Sequence, residues 1–87
     1  MTYKLVYTDK ARKILKKLDK ATQKLITSYM REIEKLEEPR FRGKALSSNL
    51  KGYWRYRVGD YRVICEIKDE DLIVVVVTMD HRKKVYK

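Results

Sequence analysis

An α+β fold of order β-α-α-β-β-β, with a helical hairpin packed on one face of a mainly antiparallel four-stranded sheet, is what this 87-residue chain predicts. Three observations carry that expectation. Two stripes of apolar residues at helical spacing occupy the first 36 positions. The stretch "YWRYRVGDYR", residues 53 to 62, sets a two-residue Gly59-Asp60 turn between aromatic and β-branched runs, the pattern of a tight hairpin. Finally, "LIVVVVTM", Leu72 to Met79, is an unbroken apolar run suited to a central strand covered on both faces. The length makes residues 1–87 a single domain, near the size at which only about 60% of the unfolded surface is buried.

Each element follows from local chemistry. "TYKLVY" alternates well enough for a first strand over Thr2 to Tyr7, and Thr8 is placed to cap the helix after it. Ala11, Ile14, Leu15 and Leu18 form that helix's apolar stripe. Asp19 caps a second helix, whose stripe runs through Thr22, Leu25, Ile26, Tyr29, Ile33 and Leu36 and stops before Pro39. The connector "RFRGKALSSNLKG" is expected to be loop, anchored by Phe41, Leu46 and Leu50. In the hairpin, Gly59 supplies the positive φ of the turn, which sets Val58 opposite Tyr61 and Arg57 opposite Arg62. Trp54, Tyr56, Val58, Tyr61, Val63, Cys65 and Ile67 then share the face that receives the helices. Arg55, Arg57 and Arg62 share the other.

Composition excludes several kinds of chemistry. One His, one Cys and no pair at zinc spacing argue against a metal site. Three glycines, Gly43, Gly52 and Gly59, form no phosphate-cradling loop, so no cofactor is expected. Cys65 lies on the apolar strand face as a buried thiol, and Ser47 and Ser48 are turn hydroxyls. No apolar run of about 18 residues and no export signal pattern is present, so the expectation is a cytoplasmic protein without a membrane contact.

The net charge of +10 draws the chain toward polyanions. One basic set lies on the helices. Residues 1 to 30 hold eight cations, including Lys10, Arg12, Lys13, Lys16, Lys17 and Lys20, against Asp9 and Asp19. A solvated helix face is the plain interpretation; diffuse RNA contact is the functional one. The second set is Arg55, Arg57 and Arg62 with His81, Arg82, Lys83, Lys84 and Tyr86 from the chain's end, which should return close to Arg62. Like charges directly opposite are destabilising. Arginines gathered without intervening carboxylates suit a phosphodiester, because each guanidinium donates two parallel hydrogen bonds to phosphate oxygens. Tyr86 adds a ring for stacking, and His81 a group that titrates near neutral pH.

"YWRYRVGDYRVICEI", followed by an apolar strand and "HRKKVY", resembles the RelE toxins of the RelE/ParE superfamily of bacterial type II toxin–antitoxin proteins. That resemblance spans nearly the whole chain, including the "RGKAL" connector. It implies a ribosome-dependent endoribonuclease that cuts mRNA in the A site without metal, leaving a 2′,3′-cyclic phosphate and a 5′-hydroxyl. It also implies neutralisation by a RelB-like antitoxin. Arg55, Arg57, Arg62, Arg82 and Tyr86 match the family's site positions, with His81 beside them; Lys83 and Lys84 join the helix set as RNA contacts. The best-known members carry lysines on the second strand, and arginine does not readily deprotonate, so Arg57 is suited to holding phosphate. Proton transfer then falls to His81 or Tyr86, with Glu66 a weaker candidate. The alternative within the superfamily is a ParE-like inhibitor that acts by binding DNA gyrase.

Overall fold

The structure is a computed structural model that describes residues 2–81. It contains β1 (Lys4–Tyr7), α1 (Asp9–Lys16), α2 (Lys20–Lys35), β2 (Lys44–Ala45), β3 (Trp54–Val58), β4 (Tyr61–Lys68) and β5 (Ile73–His81), with 3₁₀ turns at Pro39–Phe41 and Ser48–Leu50. Both helices start where their caps foretell. Thr8 Oγ1 accepts from Ala11 N at 3.1 Å, and Asp19 Oδ2 accepts from Thr22 N at 3.2 Å, each satisfying an amide that has no intrahelical partner.

The sheet has five strands, ordered β1-β5-β4-β3-β2, and is mixed where four mainly antiparallel strands were expected. Two long-range pairings make the difference. β1 lies parallel to β5, with Leu5 beside Val74 and Tyr7 beside Val76, because the two helices carry the chain across before the sheet resumes. β2 forms inside the presumed loop, Lys44 pairing with Arg55 and Ala45 with Trp54. Phe41 is no anchor: it is 74% exposed, and the buried residue of that turn is Pro39.

The hairpin register is the one read from the Gly59-Asp60 turn, with Val58 opposite Tyr61 and Arg57 opposite Arg62. β5, by contrast, contains an irregularity. Ile64 pairs with Thr78 and Cys65 with Val76, leaving Val77 without a partner, which is a β-bulge. Val74 and Val76 face the helices before it; after it, Met79 does. Side-chain parity therefore flips along β5. Ile73, Val75 and Val77 remain only half-buried, so β5 is covered fully on one face and not on both.

Ala11, Ile26, Met30, Ile33, Tyr56, Val63, Cys65 and Val76, all fully buried, make the core between helices and sheet. Burial pushes the Cys65 thiol far up and leaves it inert. Tyr56 is wholly buried, and its hydroxyl donates to the Pro39 carbonyl at 2.6 Å. Replacing Tyr56 with Phe strands that carbonyl, so urea melts should show a loss of about 1–2 kcal/mol. A loss below the error of the melts would mean the carbonyl finds another partner.

An ionic latch joins the β4–β5 turn to the residue before β1 and to the Pro39–Phe41 turn. Arg40 bonds both Asp69 oxygens at 2.9 Å, and the Tyr3 hydroxyl donates to Asp69 Oδ1 at 2.6 Å. The Arg40 guanidinium, with Tyr3, holds the Asp69 carboxyl below its ordinary value of 3.8. A carboxyl depressed on folding stabilises the native state above its unfolded pKa, and that contribution vanishes as pH falls through the folded one. Asp69→Asn should therefore lower the urea midpoint at pH 7, and its difference from wild type should close on acidification below about pH 4. A gap that stays constant with pH would show that the carboxylate's charge contributes nothing.

Candidate nucleic-acid interface

The face of the sheet away from the helices is built in rows. Alternation on β3 and β4 sends Arg55, Arg57, Arg62 and Ile64 to it, while Tyr56, Val58, Val63 and Cys65 enter the core. One row across the strands is Arg57, Arg62 and Asp80; the next is Lys44, Arg55, Ile64 and Thr78. The structure thus brings the three hairpin arginines together, as expected, and adds Lys44 from β2.

It also corrects the expectation that no carboxylate intervenes. Arg62 Nε donates to Asp80 Oδ1 at 3.1 Å and Nη2 to Asp80 Oδ2 at 3.0 Å, with side chains 24% and 36% exposed. Asp80 stands there because of the bulge. With regular alternation it would share the face of Val74 and Val76; one extra residue turns it to the arginines. Thr8 secures the device, its hydroxyl donating to the Val77 carbonyl at 2.9 Å while also capping α1. The opposition of Arg57 and Arg62 is accordingly offset by an anion on the far side of Arg62.

His81 departs from its expected place beside the arginines. Its partner across the strands is Tyr61, and the two rings meet edge to face at 5.1 Å and 85°, on the helix-covered side. The same parity change that brings Asp80 over carries His81 away. Glu66 is exposed on the arginine face but four residues along β4 from Arg62, about 13 Å at strand rise. Arg82, Lys83, Lys84 and Tyr86 lie outside the described residues.

A cleft of about 240 Å³ opens at the β2–β3 edge, lined by Tyr29, Gly43, Lys44, Arg55 and Arg57. Arg42 is committed beside it: its guanidinium sits 5.6 Å over the Tyr29 ring and bonds Glu32 at 3.1 Å. Among the described residues no ion pair involves Lys44, Arg55 or Arg57. Arg55 Nε is sealed from solvent and has no hydrogen-bond partner. An orphan donor beside cations that form no ion pair among the described residues makes this edge a candidate anion contact. Lys44 and Asp80 are the site residues that sequence reasoning missed. The only signal for Lys44 was the connector's charge; Asp80 had none, since a bulge leaves no mark in alternation.

The helix cations Lys10, Arg12, Lys13, Lys16, Lys17 and Lys20 are all exposed, and α1 and α2 cover the opposite side of the sheet. The helix cations and the hairpin arginines Arg55, Arg57 and Arg62 therefore belong to opposite sides of the sheet. Among the described residues no three His, Cys, Asp or Glu side chains gather as metal ligands, and no helix is long and apolar enough to cross a membrane.

Comparison with known proteins agrees with this architecture. The family model described as ParE toxin of type II toxin-antitoxin system, parDE, matches residues 5–86. Toxin RelG of Mycobacterium tuberculosis is 32% identical over 87 residues, covering 100% of this chain and 99% of the relative. Among solved structures, the toxin–antitoxin complex RelBE2 of Mycobacterium tuberculosis superposes with a TM-score of 0.84 at 31% identity, covering 94% of this chain and 93% of that one. The archaeal RelE–RelB complex of Pyrococcus horikoshii gives 0.73 at 26%, covering 94% and 97%. A mutant of Escherichia coli RelE in the free state gives 0.77 at 22%, covering 99% and 92%, a likeness of fold. Two helices on a five-stranded mixed sheet whose open face is basic define a RelE-like toxin domain. The chain belongs to the ParE toxin family of type II toxin–antitoxin systems, within the RelE/ParE superfamily.

Proposed function

We propose that this toxin is a ribosome-dependent mRNA endoribonuclease of the RelE kind, acting in the cytoplasm and neutralised by a RelB-like antitoxin. The observation that carries the proposal is the unneutralised trio Lys44, Arg55 and Arg57 beside Arg62, with the Arg55 Nε sealed and unpartnered. A protein that acts by binding alone has no evident need for that concentration of cationic groups on two adjacent rows of one sheet face. The similarity to Toxin RelG and to RelE complexes with RelB supports both the activity and the partner.

In the proposed reaction the mRNA's 2′-hydroxyl attacks the adjacent phosphorus, the bond to the 5′-oxygen breaks, and a 2′,3′-cyclic phosphate and a 5′-hydroxyl result. Arg55, Arg57 and Arg62, joined by Arg82, neutralise the charge that builds on the pentacovalent phosphate, commonly the largest catalytic contribution. One proton leaves the 2′-hydroxyl and one reaches the departing oxygen. His81 is held against Tyr61 on the other face and Glu66 lies along the strand, so Tyr86 is the strongest remaining proton carrier. The exposed helix lysines contact ribosomal RNA from the opposite side.

Purified protein added to programmed ribosomes should cut mRNA within translated codons and leave a cyclic phosphate end. A linear 3′-hydroxyl product would contradict attack by the 2′-hydroxyl. The match to a family model named for ParE favours a second reading, inhibition of DNA gyrase. Intact mRNA together with trapped gyrase–DNA complexes in expressing cells would establish that one instead.

A further inference from the structure

We propose that Lys44 holds a second phosphate of the mRNA, the one next to the scissile phosphodiester, so that the β2–β3 edge fixes two successive units of the RNA backbone. The inference rests on the endoribonuclease reading above and adds to it a residue and a second point of contact. Lys44 and Arg55 stand directly opposite each other across β2 and β3, on the face away from the helices. Like charges in that relation repel. The opposition of Arg57 and Arg62 is offset by Asp80, but among the described residues no carboxylate pairs with Lys44 or Arg55. Arg55 carries a second unmet demand in its sealed and unpartnered Nε. Both features meet at one spot on an exposed two-residue edge strand, where the fold itself does not require a lysine.

Charge balance and spacing identify the second phosphate. A phosphodiester carries one negative charge, and the pentacovalent species formed when the deprotonated 2′-oxygen attacks carries two. Arg55 and Arg57 match those two, and Lys44 is a further cation without an ion pair among the described residues. Arg57 lies one strand repeat from Arg55, about 6.6 Å, and on the diagonal from Lys44, about 7–8 Å. That offset is close to the separation of neighbouring phosphates along an extended single strand. A chain whose scissile phosphate lies on Arg55 and Arg57 therefore brings its neighbour within reach of the flexible Lys44 stem. The cleft of about 240 Å³ opens this same edge to the strand. Holding a phosphate that does not react needs a charge and not a planar fork, which suits lysine.

The test is a cycle between protein and substrate in single-turnover cleavage on programmed ribosomes, recording the half-saturating protein concentration. Wild type and Lys44→Gln are each given mRNA with a single methylphosphonate, which is uncharged, at one or the other phosphate flanking the scissile one. On unmodified mRNA, Lys44→Gln should raise the half-saturating concentration about 3–10-fold, and Lys44→Arg should stay within about twofold of wild type. On one of the two modified mRNAs, wild type should lose by the same factor and Lys44→Gln should lose nothing further, since the contact is already gone. Losses that add at both flanking phosphates, or a half-saturating concentration that does not move, overturn the proposal and leave Lys44 as an edge lysine that discourages strand pairing. An equal loss in Lys51→Gln, another exposed lysine of the same connector, assigns the effect to net charge and overturns it as well. Removing the repulsion from Arg55 should leave the urea midpoint of Lys44→Gln at or above wild type in low salt; a lower midpoint makes Lys44 a brace of the fold and refutes the premise. Binding of a short 2′-O-methyl single-stranded RNA is a readout apart from cleavage. Its salt dependence, log K against log salt, should be shallower by about 0.7 in Lys44→Gln, and an unchanged slope counts against the contact. A wild-type protein that neither cleaves nor binds RNA would instead refute the endoribonuclease reading, and this inference with it.

Discussion

Arg62→Ala should lose cleavage on programmed ribosomes by about 10²–10³-fold, the loss typical when one preorganised donor to a developing oxyanion is removed. Arg62 is the centre of its row, between Arg57 on β3 and Asp80 on β5, and is paired with Asp80 through both Nε and Nη2. Its removal gives up the partly exposed pair with Asp80, worth about 0.2–1 kcal/mol, and relieves a repulsion from Arg57 of similar size. Urea melts separate any effect on folding from the effect on cleavage. Arg62→Lys keeps the charge but has no planar fork, so it should recover the electrostatic share alone and fall between the two. The measurement is single-turnover cleavage beside urea melts of each variant. Wild-type cleavage by Arg62→Ala would place the phosphate site away from this row of strands.

The second large effect is on folding. Gly43 precedes β2 with φ +86°, and a Cβ there would fall 2.5 Å from Trp54 Nε1 and closer still to the Arg55 carbonyl oxygen. Neither neighbour yields readily. The carbonyl belongs to the β3 backbone, and Trp54 Nε1 is held by the Arg42 carbonyl at 2.7 Å. Gly43→Ala combines a backbone conformation that L residues avoid with overpacking against main chain, together on the order of 3–5 kcal/mol. For a domain of this length, total stability is about 4–13 kcal/mol. The variant should therefore melt at a much lower urea concentration or fail to accumulate. Gly52→Ala is the control: φ is +99° but no atom lies within 4 Å, so it should lose only about 1 kcal/mol. Equal losses at the two positions would show that backbone strain, and not the packing of β2 on β3, is decisive.

Both outcomes depend on features that differ in how well a linear chain displays them. The hairpin register was legible because a two-residue turn fixes it: Gly59-Asp60 leaves no other way to pair Val58 with Tyr61, and every partner follows by counting. The helix starts were legible because capping is a contact over three residues, from Thr8 to Ala11 and from Asp19 to Thr22. From those two rules the arginines could be assigned to one face and the core to the other.

Lys44, Asp80 and His81 were placed by contacts of a different range. β2 is two residues long and exists because β3 offers an edge to it; within its own segment nothing favours a strand. β1 is parallel to β5 because helices intervene, a matter of how the chain packs across some 70 positions. Phe41 was expected to be buried for its apolar ring, yet the turn buries Pro39 instead. Alternation itself failed at one point. At Val77 an unpaired residue reverses every side chain after it, bringing Asp80 to the arginines and sending His81 to Tyr61. Period, turn and cap are interactions among near neighbours, so the sequence by itself determined the helices, the hairpin and the cationic character of one sheet face. Strand order, the bulge and the identity of the anion beside Arg62 come from pairings between distant segments, where a one-residue offset changes which face a charge occupies, and only the tertiary structure decided them.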